Sequence, residues 1–196
     1  MNMLSPYYYQ LIIVACINVI MALSLNLVTG FAGQLSLGHA AFMGIGAYAS
    51  GILTSVYDVP FLVALVVGSL AAAVFGFLVG LPTLRLKGDY LAIATLGFGE
   101  ITRVTILNLK ITGGAFGLRG ISKQTNLVVS LAAVALTYFT LRRLMNSRFG
   151  RAITAIREDE VAAGAMGIDI TRYKVFTFVI GASFAGVAGG LFAHWF

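Results

Sequence analysis

Long apolar runs constrain this chain more than any other feature of its sequence. They cover residues 7–28, 35–57, 61–81, 90–107, 127–144 and 175–196. A helix that crosses a bilayer needs about 20 mostly apolar residues, and each run approaches that length. The composition, 59% hydrophobic and 10% charged, is far more apolar than that of a soluble domain. The sequence therefore predicts an all-α polytopic integral membrane protein, a helical bundle of about six transmembrane segments.

The polar stretches between the runs are too short to form a second domain, so residues 1–196 are expected to form one membrane domain. Between the fourth and fifth runs, Gly113, Gly114, Gly117 and Gly120 predict a loop or a re-entrant turn. The sixth run closes at Phe196 without a polar tail or a basic anchor. We therefore expect the domain to be partial, with the chain ending inside a larger bundle.

Several kinds of chemistry are excluded by what the sequence lacks. Cys16 is the single cysteine, and His39 and His194 have no acidic or thiol neighbour at ligand spacing, so no metal site is expected. No phosphate-binding loop and no hydrolase or metalloprotease motif appears, so no catalytic residue and no directly bound cofactor is expected. The net charge of +6 comes from basic residues at the ends of apolar runs, which argues against nucleic-acid binding.

Residues 147–171 contain seven of the 20 charged residues and form the one hydrophilic, helix-prone segment. Lys and Arg mark cytoplasmic loops, so this loop is expected in the cytoplasm and to be partly helical. If successive runs cross the membrane in alternating directions, Arg85 and Lys87 also lie on the cytoplasmic side. The N-terminus, residues 108–126 and Phe196 then lie on the outer side. The basic residues Lys110, Arg119 and Lys123 weaken the scheme for residues 108–126.

Two further groups of polar residues leave alternatives open. Asn26, Gln34, Ser36 and His39 surround glycines at the junction of the first two runs. They either line a transport pathway or belong to a short solvated loop. Glu100 and Arg103 share a helix face at i, i+3, and form either a functional charge site or a structural clamp.

Four ordered segments carry a family resemblance. Residues 150–169, GRAITAIREDEVAAGAMGID, resemble the cytoplasmic EAA-type loop of ABC importer membrane subunits. Residues 23–48, 88–103 and 112–121 resemble further signatures of the LivM-type permease subunit of branched-chain amino acid importers. The resemblance covers nearly the whole chain.

This resemblance implies a permease subunit, not an enzyme, for ATP-driven, binding-protein-dependent uptake of branched-chain amino acids or related amides or urea. The implied partners are a second homologous permease subunit, two cytoplasmic ABC ATPases that hold ATP and Mg, an extracytoplasmic binding protein and the lipid of a bacterial-type inner membrane. The alternatives are a secondary transporter or channel without an ATPase partner, and an intramembrane enzyme. By the same resemblance the ATPase-coupling residues are Arg148, Gly150, Arg151, Arg157, Glu158, Asp159, Glu160, Ala162, Ala163, Gly167 and Ile168.

Overall fold

The computed structural model describes residues 6–83, 86 and 88–196, and every regular element among them is a helix. The α-helices in chain order are α1 (Pro6–Leu25), α2 (His39–Val56), α3 (Phe61–Thr83), α4 (Asp89–Asn108), α5 (Leu127–Met145), α6 (Arg148–Glu158), α7 (Glu160–Ala165) and α8 (Ile170–Ala193). A π-helical segment, Asn26–Phe31, continues α1, and Gly114–Phe116 form a 3-10 turn. The prediction of an all-α polytopic membrane protein is confirmed.

Five helical segments of the described chain are long and apolar enough to cross a membrane. They are Tyr7–Phe31, Phe61–Thr83, Asp89–Asn108, Leu127–Met145 and Ile170–Ala193. The predicted second span is represented by α2, which begins at His39, four residues later than expected. Helix α2 is not among these five; it carries the buried polar residues Ser50 and Thr54 and packs against α3 and α8. The count of six spans stays a prediction.

Helix α8 is the centre of the bundle and packs against α1, α2 and α3. The contacts are made by small residues that let helix backbones approach closely, as is typical of helix packing in lipid. Gly46 of α2 lies against the backbone of Gly186, and Gly76 of α3 lies against Ala182. A methyl group on either glycine would overlap its neighbour, so the packing depends on these small residues.

The loops separate to two ends of the bundle. At one end, Arg157 Nη1 donates a 2.7 Å hydrogen bond to the Gly30 carbonyl, which joins residues 147–169 to the end of the first span. At the other end, the Leu127 amide donates to Tyr9 Oη at 3.1 Å, and the Gln124 amide donates to the His194 carbonyl at 3.2 Å. This arrangement agrees with the alternation predicted from the sequence. Arg85 and Lys87 lie outside the described residues, and the cytoplasmic assignment itself stays a prediction.

The glycine-rich stretch between α4 and α5 is irregular, as predicted. Gly113, Gly117 and Gly120 all have left-handed backbone angles. The stretch folds back onto the bundle, because Thr125 Oγ1 donates a 2.9 Å hydrogen bond to the Leu191 carbonyl of α8. It therefore forms a cap on the end opposite to residues 147–169.

Candidate coupling site and adjoining polar segment

Residues 147–169 fold into two short helices, α6 and α7, which we call the coupling hairpin. Ser147 begins α6, since its Oγ accepts a 3.1 Å hydrogen bond from the Phe149 amide. Asp159 begins α7, accepting from the amides of Val161 and Ala162 at 2.8 and 3.0 Å. Side-chain oxygens at these positions satisfy amides that a helix leaves unpaired. The expectation that this loop is partly helical is confirmed.

An apolar cluster holds the hairpin against the bundle. Ile153, Ile156 and Ala163 of the hairpin are buried together with Ala32, which follows the first membrane span. Around them, the rings of Phe149 and Tyr173 pack with centroids 5.3 Å apart. One face of α6 is therefore committed to the rest of the chain, and the opposite face remains available to a partner.

The predicted coupling residues divide between these two faces. Gly150 and Ala163 are buried, Glu160 and Ile168 are half-buried, and the exposed ones are Arg148, Arg151, Arg157, Glu158, Asp159, Ala162 and Gly167. Gly150 lies against the Met145 backbone, where a β-carbon would not fit, so it sets the tight turn from α5 into α6. Two of the predicted residues, Gly150 and Ala163, thus shape the hairpin from the inside instead of facing outward.

Ion pairs fix the hairpin to the start of α8. Lys174 Nζ pairs with Glu160 Oε1, and both side chains are largely withdrawn from solvent. Arg172 Nε lies 3.0 Å from Asp169 Oδ2, at a more exposed position. The sheltered Lys174 pair therefore holds α7 on α8, whereas the Arg172 pair lies within the start of α8.

Two exposed apolar side chains on the hairpin were not identified from the sequence. Val161 is 80% exposed and Met166 is 84% exposed, and both project from α7 and its C-terminal end. The sequence alone could have indicated them, because Val161 and Met166 are the large apolar residues of an acidic and alanine-rich stretch.

Arg157 connects the coupling hairpin directly to residues 26–39, which we call the polar segment. This segment comprises the π-helical end of the first span and the chain that leads into α2. Besides the hydrogen bond to Gly30, the Arg157 side chain lies against Gly33, where a β-carbon would be 3.2 Å from Arg157 Cγ. Gly33 has a φ of +65°, which glycine adopts without strain. The hairpin therefore touches the polar segment through a hydrogen bond and a backbone contact, as well as through Ala32.

Beyond the π-helix, residues 32–38 of the polar segment are non-helical and alternate between buried and exposed residues. Gln34 and Ser36 are buried, whereas Leu35 and Leu37 are exposed. His39, also buried, forms a 2.9 Å hydrogen bond between its Nε2 and Ser24 Oγ of α1. The segment is thus packed into the protein and is not a solvated loop at these three positions.

Neither amide atom of the Gln34 side chain, nor Ser36 Oγ, has a hydrogen-bond partner within the described part of the chain. Burial of unpaired polar groups costs about 1–3 kcal/mol each, so such groups call for a functional explanation. The pathway role predicted for these residues stays a prediction.

Asn26 lies apart from the other predicted pathway residues. It is exposed and lines a cavity of about 430 Å³ between the first span and α5, together with Tyr138, Arg142 and Asn146. Gln34, Ser36 and His39 do not line this cavity. The structure therefore buries three of the four predicted pathway residues and leaves Asn26 exposed.

The predicted pair on α4 is formed. Arg103 Nε donates a 3.0 Å hydrogen bond to Glu100 Oε2, and both side chains are exposed. The polar segment reaches the same helix nearer its start, where the Leu37 amide donates to Thr95 Oγ1 at 3.0 Å.

Comparison with known proteins agrees with this architecture. The profile of the family described as "Branched-chain amino acid transport system / permease component" matches residues 7–196. The chain is 40% identical to the high-affinity branched-chain amino acid transport system permease protein LivM of Escherichia coli, over 90% of this chain and 50% of the relative. It is 30% identical to a probable LivM of Methanocaldococcus jannaschii, over 89% of this chain and 63% of the relative.

The chain is also 43% identical to the high-affinity branched-chain amino acid transport system permease protein LivH of Escherichia coli, over 36% of this chain and 21% of the relative. The chain spans about half the length of the first of these relatives. No solved structure matches it. The family profile nevertheless covers all five membrane-length helices and the coupling hairpin, and the chain therefore belongs to the family of branched-chain amino acid transport permease components.

Proposed function

We propose that this chain is the membrane-spanning permease subunit of an ATP-driven, binding-protein-dependent importer, and that its coupling hairpin docks on a separate ABC ATPase. The observation that carries the proposal is the direct contact between the hairpin and the polar segment at the end of the first span. Arg157 bonds to Gly30, and Ala32 is buried among Ile153, Ile156 and Ala163. A force applied to the hairpin therefore reaches the membrane helices without an intervening flexible linker.

The outer face of the hairpin has the chemistry of a docking surface. Val161 and Met166 supply apolar contacts that fit a groove on a soluble partner. The hairpin also carries exposed charges at Arg148, Arg151 and Glu158, which can pair across an interface. Asp159 caps α7, so its contribution to docking is indirect.

Transmission into the membrane follows the packing of the polar segment. Closure of the ATPases shifts the hairpin, and the hairpin carries Ala32 and Gly33 with it. The segment then acts on α4 through the bond from Leu37 to Thr95, and on α1 through the bond from His39 to Ser24. Such rigid-body coupling of a loop to packed helices is a common mode of alternating access.

The remaining parts of the assembly follow from this role. A second homologous permease subunit would complete the membrane part, and the match to LivH, a different permease of the same transport system name, supports this. Two ATPases would hold ATP and Mg, an extracytoplasmic binding protein would deliver the substrate, and the complex would reside in the inner membrane. The proposed cargo is branched-chain amino acids or related amides or urea, with Gln34, Ser36 and His39 beside the path.

Affinity purification of the full-length subunit from its native membrane tests the proposal. A P-loop ATPase should co-purify, and Met166→Asp on the hairpin should release it, since a charge would enter an apolar contact. Phe116→Asp is the matched control, because Phe116 is as exposed as Met166 but lies at the opposite end. If no ATPase co-purifies and uptake follows an ion gradient or simple diffusion, the chain is a secondary transporter or a channel instead.

A further inference from the structure

A groove of about 370 Å³ runs between α2 and α4. Its walls carry Tyr48, Thr102, Glu100 and Arg103, and its floor is formed partly by Gly38 and Gly99. Gly44 also lines the groove, and β-carbons on Gly44 and Gly99 would meet no atom closer than 3.8 and 3.7 Å. The volume of the groove falls within the range of pockets that bind small ligands.

Glu100 and Arg103 are charged groups inside a membrane-length helix. They are paired at 3.0 Å, but their side chains remain 60% and 65% exposed. Glu100 lies about 12 Å from the end of α4 at Asn108, given a rise of 1.5 Å per residue. Exposed charges at such a depth are unfavourable against lipid and are found facing water-filled cavities or protein. The groove is the cavity that these two side chains line.

We propose that this groove binds the zwitterionic head group of an α-amino acid, with the Arg103 guanidinium on the carboxylate and the Glu100 carboxylate on the ammonium group. When a zwitterion binds, the ion pair between Glu100 and Arg103 is replaced by two ion pairs with the ligand. The bound site then carries no net charge in the membrane. A neutral amide or urea can hydrogen-bond to both side chains but presents no charge opposite to either, so it should bind less tightly than a zwitterion. The inference rests on the proposed function and narrows its substrate class to amino acids.

The groove also leads to the segment that the coupling hairpin contacts. One of its ends is formed by Leu37 and Gly38, and the other approaches Leu107 near the end of α4. Gly38 packs directly on the Thr95 carbonyl, where no β-carbon would fit, so the polar segment closes this end of the groove. A ligand bound beside Glu100 therefore lies next to the element that moves with the hairpin.

Cysteine accessibility in the assembled, full-length importer tests whether the groove is a water-filled path. In a background with Cys16→Ser, Thr102→Cys places a thiol in the groove, and Ile101→Cys places one on the exposed face of α4 that does not line it. A small charged thiol reagent should label Thr102→Cys at least about tenfold faster, and leucine-loaded binding protein should slow that reaction. Equal rates at both positions, or no effect of the loaded binding protein, would overturn the proposal.

Uptake of labelled leucine tests the charges. Glu100→Gln and Arg103→Gln should each lower uptake by about tenfold to a hundredfold, the effect of losing one hydrogen bond to a charged group. The double variant Glu100→Arg with Arg103→Glu keeps the internal pair but reverses the site, so uptake should remain low. If the double variant takes up leucine at the unaltered rate, the pair of Glu100 and Arg103 is a structural clamp, and the proposed binding site is rejected.

Two controls separate this inference from the proposed function. Co-purification of the ATPase should be unchanged in every α4 variant, which also shows that each variant folds and assembles. If the unaltered chain binds no ATPase, the proposed function fails irrespective of the groove. If the unaltered importer binds its ATPase but takes up labelled urea and not leucine, the proposed function stands and the zwitterion site is rejected.

Discussion

Replacing Arg157 by glutamine should weaken the coupling between ATP hydrolysis and uptake. Glutamine keeps a good helix former in α6, but its side chain is too short to reach the Gly30 carbonyl. A hydrogen bond to a charged group contributes about 1.5–3 kcal/mol, and solvent screening at this exposed position reduces that to about 1 kcal/mol. That energy corresponds to about a fivefold change in an equilibrium constant.

The assay is the ratio of leucine taken up to ATP hydrolysed by the reconstituted importer. Arg157→Gln should lower this ratio about fivefold without releasing the ATPase, because the apolar cluster around Ile153 and Ile156 still holds the hairpin in place. Arg143→Gln provides the matched control, since it removes the same charge from the exposed end of α5. An unchanged ratio for Arg157→Gln would refute the role of this hydrogen bond.

Three further predictions concern topology, the polar segment and the hairpin. A cysteine replacing exposed Ala155, with Cys16 removed, should react with an impermeant thiol reagent only in inside-out vesicles; labelling of right-side-out cells would contradict the topology. Gln34→Leu should raise the free energy of unfolding by about 1–3 kcal/mol, because it removes a buried unpaired amide, yet should lower leucine uptake; a stable variant with normal uptake would exclude a pathway role. Lys174→Met should loosen α7 and speed amide hydrogen exchange there, and unchanged exchange would show that the pair with Glu160 does not hold the hairpin.

The long apolar runs predicted most of the fold because span length and composition follow directly from the thickness of the bilayer. The positions of the helix ends were predicted less accurately. The predicted sixth run began at residue 175, whereas α8 begins at Ile170, because Asp169 accepts a 3.1 Å hydrogen bond from the Arg172 amide and starts the helix inside the polar loop. That capping residue was readable from the sequence.

The start of α2 depended on tertiary contacts that one sequence does not contain. The predicted second run begins at residue 35, but Gly38 packs on Thr95, and the non-helical backbone before it buries Gln34 and Ser36. The bond from Arg157 to Gly30 is of the same kind, since it joins residues 127 positions apart. The sequence therefore predicted the coupling loop and the polar segment as separate features, and only the structure brings them into contact.

The most direct test of the account measures whether the coupling hairpin and the polar segment move together. Spin labels at exposed Ala155 and Leu35 report the distance between them, and a second pair at Leu35 and Tyr57 reports the distance from the segment to the opposite end of α2. The account predicts that ATP binding by the assembled importer leaves the first distance unchanged and alters the second. A change in the first distance with no change in the second would contradict it, because the hairpin would then move without carrying the membrane segment.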